Sequence, residues 1–147
     1  MIMDYGEESM VKHYEISGTD FANAGEASSD FKAMLKKIGV PTDVIRKVSI
    51  AMYEAEINTV IHGQGGYCDA ELQPDRVIIT FTDNGPGIED IERAMQAGYS
   101  TATDEIRNLG FGAGMGLPNI KKYTDDMQIE SEVGKGTTVV LTIKLFK

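Results

Sequence analysis

Basic charge is what this chain has least of. Its 14 Lys and Arg residues stand against 23 Asp and Glu, for a formal net charge of −9 at pH 7 over 147 residues. That balance excludes nucleic acid or an anionic membrane as the main partner, because either would require a local basic patch. The lysine pairs at 36–37 and 121–122 fall on predicted helix faces and read as solvated surface. Cysteine is almost absent too. The single Cys68 can form no internal disulfide and no Cys-rich metal site, which suits a reducing cytosol. Between Tyr67 and Asp69 in a predicted strand, it reads as a packed small residue rather than a nucleophile. No apolar run approaches the ~18 residues of a membrane-spanning helix. The start Met1-Ile-Met-Asp-Tyr-Gly-Glu-Glu has neither the basic nor the apolar region of a signal peptide, so a cytoplasmic location is expected.

The common nucleotide signatures are missing as well. Counted from Gly110 or Gly112, the sixth position of a dinucleotide fingerprint holds Met115 or Leu117 instead of glycine, and the only Gly-Lys, at 134–135, precedes Gly136 rather than Ser or Thr. His-Arg-Asp and Asp-Phe-Gly are both absent, which excludes protein kinases of the eukaryotic type.

What is present is glycine in clusters. Gly110-Phe-Gly-Ala-Gly-Met-Gly-Leu117 places glycine at every second position, giving a backbone with little side-chain bulk that can wrap a polyphosphate. A helix start from Met115 onward would turn its free N–H groups toward that anion. A flexible linker is the other reading of such a segment.

At this length, with 41% hydrophobic and 25% charged residues, a single globular domain with a real core is expected. Residues 1–9 read as an acidic, flexible lead-in and 10–147 as the domain. Val11–Ser17 alternates like an edge strand, and Asp20 can cap a helix over Phe21–Ile38 that carries Phe31, Leu35 and Ile38 at helical spacing. Gly39 and Pro41 end it. Thr42 is expected to cap a second helix that runs to Ile61 before Gly63-Gln-Gly-Gly66. Tyr67–Leu72 and Val77–Thr82 form a hairpin signal around Gln73–Arg76, and the second strand is β-branched enough to be central. A short helix over Ile88–Ala97, a polar stretch from Gly98 to Arg107, a helix over Leu117–Tyr123 and a hairpin of 127–132 with 137–145 complete the pattern. The predicted fold class is α+β: a two-layer α/β sandwich with helices on one face of a mixed, mainly antiparallel sheet.

Glu54, Asn58 and His62 recur every four residues, so they share one face of the second helix. A carboxylate beside an amide offers a base and a neutral oxygen ligand for magnesium, the pair that phosphoryl transfer needs. A polar helix rim explains the triplet equally well. Asp83-Asn-Gly-Pro-Gly87 closes a strand, where the carboxylate can accept a hydrogen bond from an adenine amine and Gly85 and Gly87 permit close approach of a flat ligand. A turn also explains that string.

Order decides between these readings. Glu54-x-x-x-Asn58, Asp83-x-Gly-x-Gly87, Gly110-x-Gly-x-Gly-x-Gly116 and Gly136-Thr137 follow one another as in the GHKL or Bergerat-fold ATPases, which the chain resembles over about residues 10–146. These are the ATP-binding domains of type II topoisomerases, ninety-kilodalton heat-shock chaperones, sensor histidine kinases and mismatch-repair ATPases. The resemblance implies ATP and Mg²⁺ as cofactors, with Asn58 as the metal ligand and Glu54 as the base that activates the attacking hydroxyl or water. It implies Asp83 on the adenine amine, assisted through water by Thr137, with Gly85, Gly87 and Ile88 shaping the pocket. Residues 98–114 would be the ATP lid, with Gly112, Gly114, Met115, Gly116 and Leu117 against the phosphates. The lid stretch Ser100-Thr-Ala-Thr-Asp104 departs from the pattern in lacking a basic residue, which leaves Arg107 as the nearest candidate for the γ-phosphate.

Only 53 residues precede Glu54, and the chain ends at Lys147 after the last strand, so neither a phospho-accepting helical hairpin nor a transducer domain is expected. Tyr99-Ser-Thr101, Met115–Asn119 and Ser131–Thr138 resemble the stand-alone anti-sigma-factor serine/threonine kinases. The activity implied is phosphorylation of a STAS-class anti-sigma antagonist, with a sigma factor as a second partner and a homodimer left open. A nucleotide-gated binding module without kinase activity, and an orphan histidine-kinase-type catalytic domain, are the alternatives.

Overall fold

The computed structural model describes residues 9–19, 23–62, 64–88, 95 and 116–146. Eight elements follow in the order β1 (Met10–Ser17), α1 (Glu26–Ile38), α2 (Thr42–Ile61), β2 (Gly65–Leu72), β3 (Arg76–Asp83), α3 (Gly116–Lys122), β4 (Asp126–Glu132) and β5 (Gly136–Lys144). The strands form one sheet in the order β1-β2-β3-β5-β4, with β1 and β4 at its edges and β3 in the middle. All four ladders are antiparallel, so the parallel pair of a mixed sheet is absent among the described strands.

Alternation explains how the sheet finds its inner face. Cys68, Ala70 and Leu72 on β2 lie opposite Phe81, Ile79 and Val77 on β3, and Ile79 and Val77 in turn lie opposite Leu141 and Ile143 on β5. These eight side chains are all buried, whereas Asp69, Ile78 and Thr80 between them are only half-buried. The helices cover that buried face. Helix α2 packs against α1, α3 and the sheet, and it accordingly buries a wide apolar face that includes Val44, Ile45, Val48, Ala51, Met52 and Ala55. Phe31 and Leu35 of α1 and Ile120 of α3 complete the core.

Several boundaries differ from the expectation. Helix α1 begins at Glu26, not Phe21, because Gly25 stands at its N-cap in the left-handed region, at φ 105°. Asp20 and Phe21 lie outside the described residues. The cap is supplied from a distance instead. The Glu56 carboxylate, 3% exposed, accepts the N–H groups of Gly25 at 2.8 Å, Ala27 at 3.2 Å and Ser28 at 2.9 Å. Thr42 is the first helical residue of α2 and makes no capping bond; Pro41 takes the N-cap position. Ile38, expected on the apolar face, is 46% exposed at the end of α1. Ile88 is not helical, and all of the helix expected from it except Met95 lies outside the described residues, as do residues 1–8 and the whole 98–114 segment.

Candidate nucleotide site

The polar strip of α2 is the first part of the site. Glu54 and Asn58 are half-buried on a helix whose other positions mostly face the core. Burial pushes the Glu54 carboxyl above its ordinary value, and a hydrogen bond from the Asn119 side chain opposes that rise. Asn119 belongs to α3, which packs on α2 and so brings the helix that ends the glycine run beside Glu54. His62 ends α2, its N–H bonded to the Asn58 carbonyl at 2.8 Å, and burial lowers its imidazole pKa. The helical repeat thus does set the three residues in one strip, as their spacing requires.

The second part stands where β3 meets β5. Thr82 pairs with Thr138, which places Asp83 beside Thr137 at the adjoining ends of the two strands. The Asp83 Oδ1 accepts the N–H of Gly85 at 2.9 Å and that of Thr137 at 3.2 Å. Both bonds fall on one oxygen, so the carboxylate is oriented by backbone, and Oδ2 takes no hydrogen bond among the described residues. Thr137 is 9% exposed, and its hydroxyl lies 2.8 Å from the Ser131 hydroxyl on β4.

The chain from Asp83 to Ile88 is fastened to the β4–β5 hairpin. The Gly134 N–H donates to the Pro86 carbonyl at 2.8 Å, and the Ile88 N–H donates to Ser131 Oγ at 2.6 Å. Two glycines make this approach sterically feasible. At Gly87, φ 81°, a Cβ would come within 2.4 Å of the Glu132 carbonyl oxygen; at Gly136, φ 120°, it would come within 2.1 Å of the Asp83 carbonyl oxygen. Gly87 therefore admits the hairpin backbone on its Cβ side, a packing role beyond the ligand approach expected from sequence.

Of the expected site residues, Glu54, Asn58, Asp83, Gly85, Gly87, Ile88, Leu117 and Thr137 are described, and Gly116 begins α3. Leu117 packs against the core. Gly112, Gly114 and Met115, with Arg107 and the lid, lie outside the described residues. Sequence reasoning gave no individual role to Asn119, Ser131 or Glu56. The first two stood inside quoted segments, but only the α2–α3 contact and the Ser131–Thr137 register show what they touch. A cleft between β1 and the start of α1, lined by Tyr14, Asp30, Tyr53 and Glu56 among others, includes none of the described nucleotide-site residues expected from sequence.

Chemically, the described set supplies an oriented carboxylate acceptor, a buried hydroxyl, a half-buried carboxylate and a carboxamide. It fits an adenine nucleotide: Asp83 Oδ2 matches an exocyclic amine. No three His, Cys, Asp or Glu side chains converge to hold a metal among the described residues.

Comparison with known proteins places the fold in a family. The family model described as histidine kinase-like ATPase domain matches residues 19–143. The chain is 34% identical over 118 residues to an anti-sigma F factor of Clostridium beijerinckii, covering 76% of this chain and 79% of that protein. It is 32% identical over 125 residues to an anti-sigma F factor of a Thermoanaerobacter species, covering 82% and 84%. In fold it is similar to the crystal structure of the RsbU and RsbW domains of a Mycobacterium tuberculosis protein, at TM-score 0.63 and 20% identity, covering 91% of this chain and 32% of that one. A mycobacterial sensor histidine kinase, MprB, superposes at TM-score 0.51 and 13% identity, covering 92% and 97%. The chain belongs to the histidine kinase-like ATPase domain family, and within it is similar to the anti-sigma F factors.

Proposed function

We propose that the protein is an ATP- and Mg²⁺-dependent serine/threonine kinase of the anti-sigma regulatory type, phosphorylating a STAS-class anti-sigma antagonist, sequestering a sigma factor, or both. The observation that carries this reading is Glu54: a half-buried carboxyl raised by burial, one turn from Asn58, on the helix that packs over β3, which ends at Asp83, and β5, which begins beside Thr137. A base raised toward the working pH accepts a proton more effectively than an ordinary surface carboxylate. Bound ATP supplies the phosphoryl group. Asp83 Oδ2 would accept the adenine amine, Asn58 would offer its side-chain oxygen to Mg²⁺, and Glu54 would take the proton from the substrate serine or threonine oxygen as that oxygen bonds to the γ-phosphorus and ADP leaves.

The test is transfer of labelled phosphate from ATP to a STAS partner. Glu54→Gln keeps the shape but cannot accept the proton, so ATP binding should persist while transfer falls by about 10²–10⁴. Undiminished transfer would remove Glu54 from its role. A nucleotide-gated binding module is favoured over a kinase by one observation, the absence of a basic residue in Ser100–Asp104. For that reading, the parent chain would bind ATP and a sigma factor yet transfer nothing.

A further inference from the structure

The Glu54 carboxyl has one hydrogen-bond partner among the described residues, and another helix supplies it. The Asn119 side-chain amide, on α3, donates to the carboxylate. Both residues are half-buried. A glutamate side chain turns about several bonds, so a carboxylate left to itself is spread over many orientations. A base must instead point at the proton it takes, within hydrogen-bond reach.

The donor is held in place. Asn119 lies inside α3, where its carbonyl accepts the Tyr123 N–H at 3.2 Å. Ile120 beside it is fully buried, and Leu117 and Tyr123 pack against the same core. Because α3 also packs on α2, the amide reaches Glu54 from a fixed scaffold. The bond carries no positive charge. A Lys or Arg in its place would pull the carboxyl well down and leave a weaker base. Other charged groups on these elements are engaged elsewhere: Arg46 and Lys122 lie over the Tyr123 ring, Glu56 caps α1, Asp83 takes the Gly85 and Thr137 N–H groups, and Asp43, Lys47 and Lys121 are exposed. Burial holds the His62 imidazole toward its neutral form.

We infer that Asn119 is a positioning residue: from α3 it directs the Glu54 carboxylate through one neutral hydrogen bond and so aligns the base. The inference rests on the reading of Glu54 as that base. No cation or backbone N–H duplicates the bond among the described residues. The place of Asn119 in the chain adds to this. Helix α3 begins at Gly116, the last of the four alternating glycines, so the helix that follows the glycine run is also the one that orients the base.

The experiment measures phosphoryl transfer against pH in the parent, Asn119→Leu, Asn119→Asp and Asn119→Gln chains, and follows the Glu54 carboxyl in each by carbon-13 NMR titration without ATP. Asn119→Leu removes the donor at similar volume. The acid limb of kcat and the NMR midpoint should both rise by about one pH unit, the size of one hydrogen bond to a charged group. Above that limb, kcat should fall about tenfold, with KM for ATP within about twofold of the parent. A stronger base would by itself lift that plateau, so a fall reads lost orientation. Asn119→Asp brings a like charge and should raise the midpoint further than leucine does. Asn119→Gln keeps the amide and should lie between the parent and the leucine chain. If the leucine chain fails to fold, the order parent, glutamine, aspartate in rising midpoint decides the matter, and equal midpoints overturn the inference. An unmoved midpoint, a plateau at or above the parent's, or a loss confined to KM for ATP in the leucine chain overturns the inference and leaves Glu54 as the base. A parent that binds ATP and transfers nothing to a STAS partner overturns the kinase reading, and the inference with it.

Discussion

At the scale of single residues, the chemistry sits on groups whose surroundings cost stability. Glu54 shows this most clearly, because its carboxyl is raised above the ordinary value of 4.5 by burial. A carboxyl with a raised folded pKa favours folding only while protonated. Its contribution is fully present below pH 4.5 and is lost as pH rises through the folded value, so at neutral pH the ionised Glu54 works against the fold. Glu54→Gln should therefore raise the melting temperature at pH 7, and the gain should shrink as pH falls through the raised folded value and vanish below about 4.5, where the parent carboxyl is protonated in both states. Thermal denaturation of the two chains across pH 3.5–8 checks this. A constant difference over the range would mean that Glu54 ionises as an ordinary surface carboxylate does. Asn119 acts in the opposite direction on the same group, holding the carboxylate form that a base requires.

At the scale of elements, Glu56 is the point where two helices depend on each other. Its carboxylate takes three N–H groups from the first turn of α1, a task that a local Ser, Thr, Asp or Asn performs in most helices. Sequence patterning could not show this, since a Glu in the middle of α2 reads as a surface residue and its partners lie about thirty positions away. The same gap explains why α1 was expected to begin at Phe21: the local cap at Asp20 was visible, and the distant one was not. Glu56→Gln turns one of the two accepting oxygens into a donor facing backbone donors, with an expected cost of about 1–3 kcal/mol. Urea unfolding should show a lower midpoint with an unchanged slope. A midpoint within experimental scatter of the parent would show that water satisfies the α1 N-terminus without Glu56. The helices and strands themselves were legible because their signals are local: alternation on β3, and Gly39 before Pro41 at the end of α1.

At the scale of the molecule, the sheet order brings together what the sequence holds far apart. Asp83 and Thr137 are 54 residues apart, yet β5 inserts between β3 and β4 and makes them neighbours. Motif order alone pointed to that pair through resemblance; the reason they meet is the β3–β5 register. The same topology gives Asp83→Asn a clean outcome. The asparagine keeps a carbonyl oxygen for the Gly85 and Thr137 N–H groups, so the end of β3 retains its bonds. Only the outward oxygen changes, from an acceptor that suits an amine to a donor that opposes it. Since a ligand stabilises the folded chain by mass action, ATP at about a hundred times its Kd should add ~2.7 kcal/mol to the parent. That corresponds to roughly 8 °C in Tm for a domain near this size. At the same ATP concentration Asp83→Asn should keep the parental Tm without nucleotide and lose most of the shift with it. Equal ATP-dependent shifts in the two chains would place the adenine somewhere other than at the end of β3, while a large drop in the unliganded Tm would mean that the charge of Asp83, and not only its shape, holds the β3–β5 junction together.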